Sequence, residues 1–215
     1  MANPLRYRFQ PAWWIMTVMA IAIAGYAFAF FFVESLGSAD LKAKFATIPF
    51  AAWSHIIGGG IALLLGTFQM NAGLRKKSPG VHRLMGKIYL MCILLSGVGG
   101  LVLAWNATGG LFTKAGFGML GILWLYTGTN AYLAIRKGDI AAHRRWMIRN
   151  YALTLAAVTL RIYLPLSMAS GATFLVAYTV IAWMCWVPNL IVAEWFFIRR
   201  PQGKSVRRST VESAG

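Results

Sequence analysis

Six apolar runs fill most of this 215-residue chain and limit what it can become: roughly Ala12–Val33, Ile48–Ala72, Ile88–Trp105, Ala115–Ile135, Met147–Met168 and Ala172–Ile198. A helix of about 20 apolar residues spans a bilayer. What lies between the runs is too short to build a soluble domain. Only 12% of residues are charged and 59% are hydrophobic, with mean hydropathy +0.62, against about a quarter charged in soluble domains. The expectation is an all-α polytopic membrane protein with six transmembrane helices in one domain over residues 1–200, followed by a flexible basic cytoplasmic tail over 201–215.

Basic residues set the orientation, because Lys and Arg gather in short cytoplasmic loops. Arg6 and Arg8 precede the first run. Arg75, Lys76, Lys77, Arg83 and Lys87 lie between the second and third, and Arg136, Lys137, Arg144, Arg145 and Arg149 around the start of the fifth. Arg199, Arg200, Lys204, Arg207 and Arg208 follow the last. The alternate loops hold only Lys42, Lys44 and Lys114, with Glu34 and Asp40. Both termini are therefore expected in the cytoplasm. The first run resembles a signal peptide, with Ala27-Phe28-Ala29 as a cleavage motif, but it continues apolar to Val33 and reads as an uncleaved anchor. The net charge of +16 then belongs to lipid headgroups, at ~1 kcal/mol per basic residue near an anionic surface, and not to nucleic acid.

Shifted by 61 residues, the chain matches itself without a gap. Gly60, Ile61 and Leu64 fall on Gly121, Ile122 and Leu125. Gln69 falls on Asn130, Arg75-Lys76 on Arg136-Lys137, and His82-Arg83 on His143-Arg144. The chain has only three histidines, so the registered pair carries more weight than the apolar matches. Spans two and three would repeat as spans four and five in parallel, about an axis along the membrane normal. His82 and His143 would then face each other at one depth.

Polar groups at membrane depth are costly and often functional. One layer gathers toward the basic side: His82, His143, Gln69 and Asn130, with Tyr89, Asn150 and Tyr151 two turns further in and Glu194 in reach of Arg149 or Lys87. For Glu194 the plain reading is an interfacial salt bridge. The opposite layer is His55 with Arg161, whose partner is a carbonyl at a broken helix, Glu34, or an anionic or quinone-like ligand. Two imidazoles facing each other across an axis suit the iron of a b-type haem. Arg83 and Arg144 would meet its propionates. The plainer alternative makes both His-Arg pairs interfacial anchors. Gly58-Gly59-Gly60 reads first as a helix-packing surface and second as a bed for a planar group. Cys92 and Cys185 lie inside apolar runs without metal spacing and read as packing residues. Dinucleotide and phosphate-loop motifs are missing from the sequence.

From His55 to Pro165 the chain resembles the DUF2306 family of predicted bacterial membrane proteins. The matching residues are His55, Gly58–Gly60, Gly66 and Gln69, then His82-Arg83-Leu84-Met85-Gly86-Lys87-Ile88-Tyr89, and His143-Arg144-Arg145-Trp146-Met147-Ile148-Arg149-Asn150-Tyr151 through Arg161. This resemblance implies a multi-pass protein of the bacterial inner membrane and supplies no activity. In architecture alone the chain is also similar to six-span cytochrome b561 proteins, which carry a haem-ligating histidine on each of spans two to five. Here the fourth-span counterpart of His55 is Gly116. That likeness implies one haem, ligated by His82 and His143, and leaves His55 for a quinone. Two function classes follow. One is a haem-dependent membrane oxidoreductase exchanging electrons with quinol or another membrane redox protein. The other is a non-redox transporter of a small molecule or lipid, or an accessory subunit of a larger membrane complex.

The topology is tested by a reporter fused after Gly215, which should be active only in its cytoplasmic form. Periplasmic activity at that position would overturn the orientation.

Overall fold

The computed structural model describes residues 10–199, all of it helix, turn and short loop with no strand among them. The basic tail, Arg6, Arg8 and Arg200 lie outside the described residues. Helix α1 is Gln10–Ala29 and α2 is Ala39–Thr47. The first long hairpin is α3 (Pro49–Gln69) and α5 (Pro79–Trp105), joined by the short α4 (Ala72–Lys77). The second is α6 (Gly110–Arg136) and α7 (Ile140–Thr154), which continues after Leu155 as α8 (Ala156–Ala169). The last segment is α9 (Phe174–Met184), α10 (Val187–Val192) and one turn of π-helix, Ala193–Ile198.

Local chemistry sets most boundaries. The Ser38 hydroxyl accepts from the Leu41 amide and caps α2, with Asp40 in its first turn and Lys44 in its last, the order its dipole favours. Proline at the start of α3, α5 and α10 costs no intrahelical bond there. The Asn71 side chain accepts from the amides of Gly73 and Leu74, so the second apolar run stops at Gln69 and a new helix begins. Asp139 caps α7 by accepting from Ala142 at 2.8 Å. Gly109, at φ 102°, makes the left-handed turn into α6.

Four continuous helical segments are long and apolar enough to cross a membrane: Pro49–Gln69, Pro79–Trp105, Ile140–Ala169 and Phe174–Ile198. Trp13–Ala29 is a shorter apolar helix, because the first run leaves the helix at Phe30 and turns before reaching Val33. Helix α6 has 27 residues, about 40 Å at the usual rise, but Gly116, Gly118, Gly121, Thr127, Gly128 and Asn130 dilute its apolar character. On α5, Leu84, Ile88, Met91, Leu95, Val98 and Val102 all stand exposed along the helix. Hydrocarbon covers such a face at no cost, whereas water would not.

Between helices the contacts are made by small residues. A side chain at Gly58 would press on Ser96 and the Cys92 carbonyl, and one at Gly60 on the Phe28 ring. The triple glycine is thus a packing surface for α5 on one side and α1 on the other. Cys185 is fully buried and Cys92 half-buried, both as free thiols. Gly66 lies under the Tyr151 ring so closely that any Cβ would overlap the ring carbons. Gly66→Ala should therefore destabilise the protein by about 1–3 kcal/mol, read as a lower unfolding midpoint in detergent. Gly118→Ala, with nothing within 4 Å of the added methyl, should leave the midpoint unchanged or raise it.

Candidate functional site

Polar side chains collect at three levels of the bundle. At the first, His82 lies in the opening turn of α5, and its backbone carbonyl accepts from Gln69 Nε2 at 2.9 Å. Gln69 is buried at the end of α3, so this bond closes the hairpin. His82 Nδ1 is the one buried side-chain polar atom among the described residues without a hydrogen-bond partner. His143 occupies the opening turn of α7, with Nδ1 2.8 Å from the Ala131 carbonyl of α6. A carbonyl can only accept, so Nδ1 carries the hydrogen, and in the neutral ring the lone pair of Nε2 is left free. His82 is partly buried, and the charges of Arg75 on α4 and of His143 both act on its ring. Arg83 and Arg144 are exposed. Asn130 turns back on its own helix, donating to the Tyr126 carbonyl at 2.8 Å, away from His143.

Two turns further in, five buried side chains close a ring across three helices. The Tyr89 hydroxyl donates to Asn150 Oδ1 at 2.6 Å and lies 3.0 Å from the Thr154 hydroxyl. Asn150 Nδ2 donates to the Trp124 carbonyl at 2.7 Å and to Thr127 Oγ1 at 2.9 Å. Trp124 Nε1 donates to Thr154 Oγ1 at 2.9 Å, which completes the circuit. Beside it the Tyr151 hydroxyl donates to the Leu63 carbonyl and pairs with Thr67, binding α7 to α3. These positions can be found in the sequence only in part. Tyr89, Asn150 and Tyr151 stand out beside the His-Arg motifs, whereas Trp124, Thr127 and Thr154 look like ordinary helix residues until their partners are known.

The third level lies at the opposite end. His55 Nδ1 meets the Ser96 carbonyl at 2.9 Å, and the Ser96 hydroxyl donates to the His55 carbonyl at 2.8 Å. The imidazole stands edge-on to Trp124, with centroids 6.4 Å apart. Arg161 donates once, to the Ala157 carbonyl at 3.0 Å, and its guanidinium covers the Tyr26 ring at 5.3 Å. Its protein partners are thus a carbonyl just past the break at Leu155 and an aromatic face, not Glu34.

On the rim of the first level, Arg149 holds Glu194 through both carboxylate oxygens, with NH2 to Oε2 at 3.1 Å, and lies over Trp146 at 4.7 Å. Glu194 thus pairs with Arg149 and not with Lys87, and the pair anchors the π-turn to α7. Among the described residues, no group of three or more His, Cys, Asp or Glu side chains gathers to hold a metal ion.

Long apolar helices, lipid-type exposure and polar groups paired at depth define a helical membrane protein. The chain belongs to the DUF2306 family of predicted membrane proteins, whose profile matches residues 52–197. Nothing among curated proteins and no solved structure matches it.

The ring around Asn150 makes a direct test. Tyr89→Phe strands Asn150 Oδ1 in a dry interior and should cost about 1–3 kcal/mol, seen as a lower midpoint in thermal unfolding. Tyr132→Phe, at an exposed tyrosine bonded only to Arg136, should change the midpoint little.

Proposed function

We propose that this chain is an electron-transfer protein of the bacterial inner membrane. In this reading it crosses the bilayer six times with both termini in the cytoplasm, and holds one b-type haem between His82 and His143. The observation that carries the reading is the state of the two rings. Neither Nε2 has a hydrogen-bond partner among the described residues, His82 lacks a partner on Nδ1 as well, and the tautomer of His143 is fixed by Ala131. A buried polar atom left unpaired costs about 1–3 kcal/mol, which ligation through His82 Nδ1 would offset. The bond between His143 and a backbone carbonyl is the usual outer-shell support of a ligating histidine.

The parallel repeat supports the same reading. Tyr89 and Asn150 are 61 residues apart, the shift of the repeat, and they hydrogen-bond to each other. Direct contact between equivalent positions is what a pseudo-two-fold axis passing near them would produce. The histidines lie seven residues before these two and would then stand one on each side of that axis. A haem held there would supply one-electron chemistry. His82 and His143 would hold it, Gln69 would fix the backbone beneath His82, and Arg83, Arg144 and Arg75 would balance its propionates. Asn130 stands in the register of Gln69 on the other hairpin, with its amide bonded to the Tyr126 carbonyl, and would have to turn to join the site. Electrons would be exchanged with quinol or with another membrane redox protein. The basic loops would rest on anionic lipid headgroups.

A reduced-minus-oxidised visible spectrum of the purified protein tests this. The wild type should show a sharp b-type band. His82→Ala and His143→Ala should each lose or badly perturb it, and His55→Ala should leave it nearly intact. Arg83→Ala or Arg144→Ala should shift the midpoint potential or weaken retention without abolishing the band. A colourless wild type, expressed with ample haem, would overturn the reading in favour of a non-redox transporter or accessory subunit.

A further inference from the structure

The turn that leaves α1 builds a cavity of about 220 Å³ at the end of the bundle opposite the histidine pair. Its walls are aromatic: Phe30 and Phe31 from the turn itself, Phe45 from α2 and Trp53 from α3, with Ala46 beside them. Its one charged residue is Lys42. The rings are held by each other and by the backbone. Phe31 and Trp53 stack with centroids 3.9 Å apart, and Phe30 tilts against Phe45 at 5.8 Å. Gly37, at φ 81°, stays bare where the Phe30 ring lies.

Lys42 is fixed at this cavity. Its Nζ donates to the Glu34 carbonyl at 2.8 Å and to the Val33 carbonyl at 3.3 Å, and lies 5.7 Å from the centre of the Phe30 ring. The plain role of these bonds is to close the carbonyls that follow α1. That role spends two of the three N–H groups of an ammonium and leaves the charge uncompensated. Among the described residues the one ion pair is Arg149 with Glu194, so no carboxylate serves Lys42. A cation set into aromatic walls, with one N–H unspent, selects an anion.

The size and setting of the cavity narrow that anion. Sites that enclose a whole ligand hold roughly 300–1,000 Å³, so this one takes part of a ligand and leaves the rest outside. Phe32 and Phe50, next in sequence to lining residues, are 85% and 76% exposed, as aromatic residues are at a membrane interface. The outside part therefore lies in lipid and is apolar. Lys42 and the Trp53 indole are the side-chain donors of the lining. They match the two oxygens of a carboxylate. A phospholipid phosphodiester brings flanking groups and ester carbonyls, for which the lining has no further donor. We propose that the cavity between α1, α2 and α3 binds a long-chain carboxylate, a fatty acid, with the carboxylate on Lys42 and the chain passing over Trp53 into the bilayer. The site does not depend on the electron-transfer reading.

The test uses the full-length protein in phosphatidylcholine nanodiscs and an oleate carrying a diazirine, with labelled residues mapped by mass spectrometry. Labelling should saturate at Phe45, Ala46 and Trp53. Unlabelled oleate should displace the probe at least about tenfold better than methyl oleate or oleyl alcohol, as a charge-assisted hydrogen bond requires. Lys42→Met should erase that preference and Lys42→Arg should keep it. Ala46→Phe fills the cavity with Lys42 in place, so it should block labelling even if loss of Lys42 disturbs the turn. Lys114→Met, at the lysine over Trp105 on another loop, should label as wild type. Equal displacement by oleate and methyl oleate, or labelling that survives Ala46→Phe, would overturn the site. Displacement by phosphatidylglycerol in the disc as strong as by oleate would overturn the carboxylate in favour of a lipid phosphate.

Discussion

The Asn150 side chain is the fastening on which the arrangement of the helices depends. It is fully buried, where no water can serve its amide, so its hydrogens and its oxygen must find protein partners. They find them on two other helices: Tyr89 on α5, and Thr127 with the Trp124 carbonyl on α6. Rotating or sliding α7 by one residue would break all three bonds together. Leucine or valine in the same place would pack as well against lipid as against protein, and would set no register. The polar ring thus supplies what apolar contact in a bilayer lacks, a preference for one alignment. Gly66 and Gly128 let the backbones approach closely enough for that alignment to form: the first accommodates the Tyr151 ring, and the second lies against Ile93 and the Asn150 amide.

The same ring reaches the break after Thr154. The Thr154 hydroxyl bonds back to the Asn150 carbonyl one turn earlier while receiving the Trp124 indole N–H. Threonines that bond back in this way bend helices. Helix α7 ends there and α8 resumes at Ala156, with Pro165 sitting inside α8 and causing no such break. This is why the break was not legible. The sequence displays the proline, which leaves its helix intact, and nothing at Thr154 that marks an interruption. The turn at Cys185–Trp186 is nearer to being readable, since Pro188 lies just beyond it. The apolar runs were legible because span length and composition are local properties. Their ends were less so: Phe30–Phe32 are as apolar as the helix they leave, and only the following loop turns them out.

For the polar groups, legibility followed chemical rarity. Histidine, buried arginine and a lone glutamate are conspicuous in apolar surroundings, and each was visible beforehand as a point of interest. Their partners were visible only when the choice was small. Glu194 had Arg149 and Lys87 within reach, and the bidentate geometry with Trp146 beneath the guanidinium selects Arg149. Arg161 had no acid nearby in the fold and settled on a carbonyl and an aromatic face. Arg83 and Arg144 were prominent because they adjoin the histidines, yet adjacent residues on a helix point about 100° apart. Arg75, on the short helix created by Asn71, carries a charge that acts on His82. Sequence neighbours were a poorer guide there than the hairpin connection.

Placing functional groups at both ends of a repeat need not give two copies of one site. Duplication supplies equivalent backbone positions, and packing then decides which of them can carry a side chain. At one end both positions hold histidine, in the first turns of α5 and α7. At the other end α3 and α5 close to contact, so that Ser96 and His55 exchange hydrogen bonds and Gly100 must stay bare beside the imidazole. Close packing therefore excludes a second pair of large side chains there and leaves a single imidazole. The asymmetry between the ends is a consequence of how tightly the first hairpin closes. A chain that relaxed this closure, by losing the Ser96 bonds, would have space for a second ligand but no fixed imidazole to offer it.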